Sequence, residues 1–322
     1  RMSRGLGDVY KRQTIIVTAD DFSSNPVSAS CEIGVKIVTP ITGMTFTEDT
    51  ELNQLGYGQE YQIKYTLEPV DATASLLTWA SDNPEVISVD KTGKLKVHTT
   101  KTASAVITAS YGPVVQNVTV TVADGRFWYS LGNGLGNGLD NNWYLDGNNA
   151  SVVSSDGNKT TVQMGSGYRG DLWLARSGKG KIVNVTPADY RYFAIKVGFK
   201  SQLVPGKNKP NGCIKLEIFD DGIKKIGPEY FGTGGDANNR YEILGASEIS
   251  TTEPNVLYYD LQSKYKTVTP TDWNQVFDLV QCKFVIADFP ETAQTYDLYW
   301  IRSFKSIEEL QAFVDSENNT NE

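Results

Sequence analysis

Histidine and cysteine are scarce in this chain of 322 residues, and their scarcity limits the chemistry that it can perform. His98 is the only histidine, and it falls on the polar face of a predicted strand. This excludes a His-rich metal site and argues against Ser-His-Asp or Cys-His catalysis. Cys31, Cys213 and Cys282 are spread over the chain, which fits neither a disulfide framework nor a CxxC metal site. We expect Cys213 and Cys282 to be small core residues, with a disulfide between them as the alternative.

Basic residues are also in deficit. The chain has 30 Lys and Arg against 38 Asp and Glu, for a net charge of −8, whereas binding to a phosphate backbone needs a basic face. We therefore expect no nucleic-acid partner and a neutral ligand. Its 29 Gly and 12 Pro, with many Thr, Asn and Asp, indicate short strands joined by turns. The aromatic residues suffice for real cores, and the length predicts two or three domains.

The N-terminal segment does not look like part of a folded domain. Residues 1–13 lack the apolar stretch of a signal peptide and are typical of a translated sequencing-adapter tail, so we exclude them from the fold prediction. If this is correct, the natural protein extends upstream and its export signal is missing. Residues 14–39 contain two alternating strands, Thr14–Ala19 and Ala29–Ile37, which predict the last hairpin of an earlier immunoglobulin-like repeat.

Residues 40–122 form a complete predicted β-sandwich domain. Between Thr78 and Leu95, strand patterns alternate with turns, and Asp90-Lys91-Thr92-Gly93 predicts a hairpin turn. Residues 78–95 resemble a group 2 bacterial immunoglobulin-like domain, an extracellular spacer module. Trp79 lies within a strand pattern, so we expect it to pack in the core rather than to bind a sugar.

A larger second domain is predicted over residues 126–314, after a short linker, Ala123–Arg126. Widely separated strand patterns and loops rich in Gly, Asn and Asp favour a jelly-roll β-sandwich. Ser306 and Glu309 predict a capping box that opens one short C-terminal helix, followed by a disordered tail at 315–322. The predicted fold class is therefore all-β, an immunoglobulin-like sandwich followed by a jelly roll with one short helix.

The last strand of this domain provides a second resemblance. Tyr296–Leu310 is similar to the end of an uncharacterised C-terminal domain of exported Bacteroidetes proteins associated with polysaccharide utilisation. Its Asp-Leu-Tyr-Trp-Ile-Arg strand also resembles the last strand of galactose-binding-like carbohydrate-binding modules. The resemblance implies a location at the cell surface, as an outer-membrane lipoprotein, or secretion.

Aromatic residues beside glycine and asparagine are candidates for stacking on sugar rings, with nearby polar side chains for the hydroxyl groups. Trp143 and Tyr230 fall in glycine- and asparagine-rich loops, where a large ring should have little to pack on. Arg169, Asp171 and Trp173 share one face of a predicted strand, which would make a continuous platform. Because parity cannot distinguish outward from inward, core packing is the alternative for every ring. The predicted binding residues are Trp143, Tyr144, Tyr168, Arg169, Asp171, Trp173 and Tyr230.

Metal and catalytic sites have weaker support. Jelly-roll modules often hold a structural calcium, for which Asp146 and Asp297 are candidate ligands, although no bidentate Glu ends a calcium loop. We expect no other cofactor. The glycine-rich run Gly132–Gly138 lacks the spacing of a phosphate loop. No carboxylate pair occurs in a recognisable glycosidase pattern, so we expect no enzymatic activity.

These observations lead to one main functional hypothesis. The chain is expected to be a non-catalytic, monomeric, cell-surface or secreted glycan-binding fragment that does not span the membrane, with spacers that present a C-terminal module for a polysaccharide such as xylan. The alternatives are an accessory region of a glycoside hydrolase whose catalytic domain is missing, and a protein-binding adhesin or scaffold. The upstream sequence separates the first two, and glycan binding separates both from the third.

Overall fold

A computed structural model describes most of the chain. The described residues are 10–19, 27–36, 38–135, 143–146, 150–164, 169–176, 179–180, 183–202, 215–220, 224–225, 241–262, 273–287 and 294–319. Within them, strands predominate and one α-helix follows the last strand, so the predicted all-β class with a short C-terminal helix is confirmed.

The N-terminal part contains strands β1 to β11. They are β1 Tyr10–Ala19, β2 Val27–Lys36, β3 Gly43–Phe46, β4 Leu55–Tyr57, β5 Glu60–Gln62, β6 Tyr65–Glu68, β7 Thr78–Ser81, β8 Ile87–Val89, β9 Lys94–Val97, β10 Ala103–Tyr111 and β11 Val114–Ser130. Two short 3-10 helices occur at Thr50–Asn53 and Ala74–Leu76.

The C-terminal part contains strands β12 to β24 and helix α1. They are β12 Tyr144–Asp146, β13 Ser151–Ser155, β14 Thr160–Gln163, β15 Arg169–Arg176, β16 Lys179–Gly180, β17 Val183–Val185, β18 Tyr192–Phe199, β19 Lys215–Asp220, β20 Lys224–Lys225, β21 Glu242–Ile243, β22 Asn255–Asp260, β23 Phe277–Ala287, β24 Thr295–Phe304 and α1 Ile307–Asn319.

Strands β1 and β2 pair in antiparallel register, as the alternating patterns predict. The pairing begins at Tyr10, opposite Lys36, so the strand starts inside the segment that the sequence predicts to lie outside the fold. That exclusion is wrong for residues 10–13, which form backbone pairs with β2.

The first sandwich packs the sheet β7–β10–β11, with β4 parallel to β11, against the sheet β5–β9–β8. Alternating residues such as Ile87, Leu95 and Ile107 are fully buried between them, as strand alternation predicts. The predicted hairpin turn is confirmed, because Gly93 has φ +83° and its N–H donates to the Asp90 carbonyl at 3.1 Å. Trp79 packs against this core and stacks on Phe46 at 5.8 Å between ring centroids.

The predicted linker at Ala123–Arg126 is instead the middle of a continuous strand. β11 pairs with β10 up to Val122 and then with β24 from Trp128, so one strand serves both sandwiches. At the crossing, where β11 passes from the first sandwich into the second, the Gly125 N–H donates to Asn184 Oδ1 at 2.8 Å. Ser303 Oγ donates to the Gly125 carbonyl there at 2.9 Å. Buried polar backbone groups need such partners, so these bonds fix the crossing in place.

The second sandwich consists of two antiparallel sheets. Sheet A has the order β21–β22–β18–β24–β11, with β14 paired to β24 and β13 paired to β14. Sheet B has the order β12–β15–β23–β19–β20, with β16 paired to β15 and β17 paired to β23. Fully buried rings such as Phe193 and Phe284 fill the space between the sheets. Cys282 belongs to this core as a free thiol, so the disulfide alternative is absent, and burial raises its pKa. Cys213 lies outside the described residues.

Helix α1 covers part of the outer face of sheet A. The Ser306 hydroxyl accepts a hydrogen bond from the Glu309 N–H at 3.2 Å, which confirms the predicted N-cap. Leu310 is fully buried, and Phe313 packs on Trp300 and Phe304. Within the described residues, no helix has both the length and the apolar character needed to cross a membrane.

The helix continues to Asn319, past the predicted end at residue 314, because Glu317 anchors its last turn. Glu317 Oε2 accepts hydrogen bonds from Lys196 Nζ and Trp300 Nε1, each at 3.1 Å. Its Oε1 lies 3.9 Å from Arg302, whose pKa burial lowers to about 10. The prediction of a tail disordered from residue 315 is therefore wrong for residues 315–319.

We expect Glu317→Ala to release this last turn and to lower the free energy of unfolding by about 1–3 kcal/mol, because it leaves charged and polar donors without their acceptor. Amide hydrogen exchange over residues 314–319 measures the effect. Asn318→Ala is the matched control, since Asn318 is adjacent and exposed. Equal exchange in the two variants would show that Glu317 does not anchor the helix.

Candidate functional site

Trp143, the first of the predicted binding residues, lies in the core of the second sandwich. It is fully buried, with its ring 5.7 Å from Tyr129 and 5.8 Å from Phe284 between centroids. The expectation that a ring in this loop has little to pack on is wrong, because the opposite sheet supplies partners. Its ring face is therefore not offered to a ligand at the surface.

Tyr144, Trp173 and Lys283 form a row across three neighbouring strands of sheet B. Trp173 lies between Leu172 and Leu174, which both point into the core, so its side chain projects from the other face of the sheet. It is nevertheless only 7% exposed, and the Lys283 ammonium lies 4.5 Å from its ring centroid. The Trp173 ring therefore points away from the core, as a binding platform would require, but it is covered.

For the remaining predicted binding residues, the structure describes no side chain. Tyr168 and Tyr230 lie outside the described residues. For Arg169 and Asp171 the backbone alone is described, in β15, with Asp171 opposite Asp146 in the strand register. Their predicted contacts with sugar hydroxyls remain predictions.

The predicted calcium ligands do not fit a calcium site. Asp146 is in sheet B, whereas Asp297 is in β24 of sheet A. Asp297 Oδ2 accepts hydrogen bonds from Lys159 Nζ and Lys200 Nζ, each at 2.8 Å, and Oδ1 accepts one from Thr161 Oγ1 at 2.7 Å. A cation that needs several oxygen ligands would compete with two ammonium groups. In the part of the chain that the structure describes, no cluster of three His, Cys, Asp or Glu residues is present.

The Asp297 carboxylate is instead the centre of a polar network. Burial alone would raise its pKa, but the hydrogen bonds from Lys159, Lys200 and Thr161 outweigh burial and lower it. The same contact with Asp297 raises the pKa of Lys159. Asp297 therefore stays ionised and holds both lysine side chains at fixed places on the outer face of sheet A.

Beside this network, Tyr299 occupies a β-bulge of strand β24. Lys196 pairs with Trp300 and Val197 pairs with Leu298, so Tyr299 is the extra residue between them. Bulges re-aim side chains and are frequent at functional sites. The Tyr299 ring lies over Gly198, where an added Cβ would be 3.5 Å from the ring edge, and the residue is half-buried. The Lys196 ammonium lies 5.6 Å from the ring centroid.

We call this surface the Tyr299 face. It combines an aromatic ring that rests on a glycine with charged and polar groups that are already held in place. It consists of Lys159, Thr161, Lys196, Gly198, Lys200, Asp297 and Tyr299.

Grooves lined by described residues occur outside this face. A groove of about 590 Å³ runs between residues 45–53 and 116–119 of the first sandwich. A second groove, of about 670 Å³, lies at the junction of the two sandwiches beside Asp124, Tyr190 and Lys305. Tyr190 is only 3% exposed, so its ring is not available for stacking. Both grooves have the volume of a ligand site, and the first is lined by the half-buried Phe46 and by Asp49, whose Oδ2 accepts hydrogen bonds from Tyr61 and Lys64.

Comparisons with known proteins add a family. A family model described as a domain of unknown function, DUF4979, matches residues 134–310. Comparison with curated proteins gives no match. Among solved structures, SGBP-B from a complex xyloglucan utilization locus in Bacteroides uniformis is 9% identical, with 94% of this chain and 81% of that chain covered and a TM-score of 0.25.

Two further solved structures show similarly weak likeness. The CBM51-2 and INT domains of Clostridium perfringens ZmpB are 12% identical, with 80% of this chain and 48% of that chain covered and a TM-score of 0.20. Domains 4–9 of the surface layer protein SbsC are 13% identical, with 89% and 35% covered and a TM-score of 0.23. The chain thus spans less than half of either protein. TM-scores this low give no basis for transferring a function.

Proposed function

The chain belongs to the family of this domain of unknown function, and from that premise we propose that its second sandwich binds a polysaccharide or oligosaccharide through the Tyr299 face. The supporting observation is the bulge that turns the Tyr299 ring onto Gly198, next to a carboxylate held by two lysines. A ring beside oriented polar groups matches what a sugar presents, namely an apolar C–H side and hydroxyl groups at its edge.

Preorganisation strengthens this proposal. Ordering a long lysine side chain on binding costs about 0.5–1.5 kcal/mol, and here Asp297 has already ordered two of them. The ring is also supported from below by the backbone at Gly198, so stacking on it requires no rearrangement. The binding role of Trp173, Tyr144, Arg169, Asp171, Tyr168 and Tyr230 on the other sheet stays a second, untested part of the sequence prediction.

The proposal includes no catalysis. The protein acts as a surface-located or secreted glycan-binding module, and the first sandwich presents the second one away from its attachment point. Supporting this reading, Asp297 is the single carboxylate among the described residues of the Tyr299 face and both of its oxygens are already engaged, whereas glycoside hydrolysis ordinarily uses two carboxyl groups. Release of reducing sugar from xylan or other plant polysaccharides by the purified protein would overturn this part.

The test is retention on polysaccharides in affinity gels, followed by titration with the retained glycan. We expect Tyr299→Ala to weaken binding by about tenfold or more, because stacking one ring contributes on the order of 1–3 kcal/mol. Tyr299→Phe is the matched control and should bind nearly as well, since it keeps the ring. Unchanged retention of the alanine variant, with its unfolding transition intact, would show that this face is not the glycan site.

A further inference from the structure

The Tyr299 face has an excess of hydrogen-bond donors over acceptors. The two ammonium groups of Lys159 and Lys200 share one carboxylate oxygen, Asp297 Oδ2. An ammonium group carries three N–H donors, and among the described residues Asp297 is the partner shown for each of these lysines. The Lys200 side chain is 52% exposed and that of Lys159 31%, so their remaining donors face the surface.

Two of the nearby carboxylates, Asp297 and Glu317, are already engaged. The Asp297 side chain is 2% exposed, and its other oxygen accepts from Thr161. Asp156 is exposed, and its Oδ1 accepts the N–H groups of Asn158 and Lys159, which lowers its pKa. Glu317, on the far side of Tyr299, accepts from Lys196 and Trp300. A ligand therefore meets two lysines whose shared carboxylate partner is buried, and Asp156 is the exposed carboxylate near Lys159.

This arrangement distinguishes between classes of glycan. A sugar hydroxyl both donates and accepts hydrogen bonds. On a surface that offers mainly N–H donors, only its accepting oxygen finds partners. The carboxylate of a uronic acid only accepts, and its hydrogen bonds with an ammonium group are charge-assisted and about twice as strong as neutral ones. On the basis of the proposed function, we propose that the Tyr299 face prefers glycans that carry uronic acids, with the sugar ring on Tyr299 and its carboxylate on Lys159 and Lys200.

The net charge of −8 opposes this preference, because a negatively charged protein repels an acidic glycan at long range. At physiological ionic strength the Debye length is about 8 Å, so distant carboxylates are largely screened, whereas a carboxylate in contact with Lys200 is not. The preference should therefore appear near physiological salt and decline at several-fold higher salt. At very low salt the global charge weakens the binding of any acidic glycan.

The experiment compares matched glycans that differ only in the carboxylate. The full chain is titrated with glucuronic-acid-substituted xylan oligosaccharides and with the same oligosaccharides after reduction of the carboxyl to an alcohol. We expect the acidic form to bind about three- to tenfold more tightly, in line with one exposed charge-assisted contact. Lys200→Gln should remove that preference, so that the variant binds the acidic and the neutral form with affinities within about twofold of each other. Lys91→Gln, at an exposed turn of the first sandwich, is the control and should change neither.

The outcomes separate this inference from the proposed function. Equal affinity for the two forms, with Tyr299→Ala weakening both, overturns the uronic acid preference and leaves glycan binding in place. No binding of either form, or of any polysaccharide in the affinity gels, overturns the proposed function itself. A preference that persists in Lys200→Gln and in Lys159→Gln shows that the carboxylate is bound elsewhere, which also overturns the inference.

Discussion

Trp143→Ala is expected to lower the free energy of unfolding by about 3–5 kcal/mol, the usual cost of removing a large aromatic side chain from a core. The ring is fully buried and packs edge-on against Tyr129 and at a tilt against Phe284. Both of these residues are themselves fully buried, so the surrounding core has little freedom to collapse into the space. The measurement is the unfolding midpoint in urea, with tryptophan fluorescence and circular dichroism as independent probes.

Two further variants make this result decisive. Trp143→Phe keeps part of the ring volume and should cost clearly less than Trp143→Ala. Val153→Ala removes an apolar side chain that is 55% exposed on β13, and should change stability little. If the Trp143→Ala protein unfolds like the parent but is no longer retained on polysaccharides, Trp143 binds glycan at the surface, as the sequence predicts, and its placement in the core is wrong.

The strands were predictable because each carries its own signal. Strand-like runs at 193–199, 256–261 and 296–304 predict three strands, and the structure places β18, β22 and β24 at nearly these bounds. The hairpin turn at Asp90–Gly93 and the N-cap at Ser306 were likewise predictable, because the residues that form them are neighbours in the sequence. The assignment of the two sandwiches as immunoglobulin-like and jelly-roll stays a prediction.

The site was much less predictable, since its contacts join distant parts of the chain. Lys159 and Lys200 are separated from Asp297 by 138 and 97 residues in the sequence. The residues next to Asp297 in the sequence therefore do not indicate that it binds two ammonium groups. From the sequence alone, Asp297 is therefore predicted to be a calcium ligand. Trp143 was misassigned for the same reason, because Phe284 reaches it from the other sheet. One available signal was missed: Leu298, Tyr299 and Trp300 interrupt strict alternation, which is what a bulge does to a strand.

The junction shows a different limit. Asp124-Gly125 is typical of a linker, because glycine in a polar stretch usually marks a turn between elements. In the structure the same glycine lies within β11, and its role is steric as well as conformational. Gly125 has φ +71°, and an added Cβ would lie 2.2 Å from Thr186 Oγ1 and 2.6 Å from the Thr186 backbone nitrogen. A linker glycine and a close-packed strand glycine look alike in sequence, but they respond very differently to substitution.

Gly125→Ala is therefore expected to destabilise the protein by about 3 kcal/mol or more. The left-handed backbone conformation alone costs a non-glycine residue roughly 1–2 kcal/mol. The larger part comes from Thr186, whose backbone cannot move away without breaking the 2.8 Å bond between the Gly125 N–H and Asn184 and the 3.0 Å bond from the Thr186 hydroxyl to the Asp124 carbonyl. Unfolding in urea measures the loss, and hydrogen exchange in β17 and β24 locates it.

Gly112→Ala separates the two contributions, because Gly112 also has a positive φ, +55°, yet an added Cβ there would meet nothing within 4 Å. The control should lose only the conformational part, about 1–2 kcal/mol, with its effect confined to the β10–β11 turn. The difference between the variants then measures how tightly the two sandwiches are packed at the crossing. If Gly125→Ala costs no more than Gly112→Ala, the segment behaves as the flexible linker that the sequence predicts, and the first sandwich does not hold the Tyr299 face in a fixed orientation.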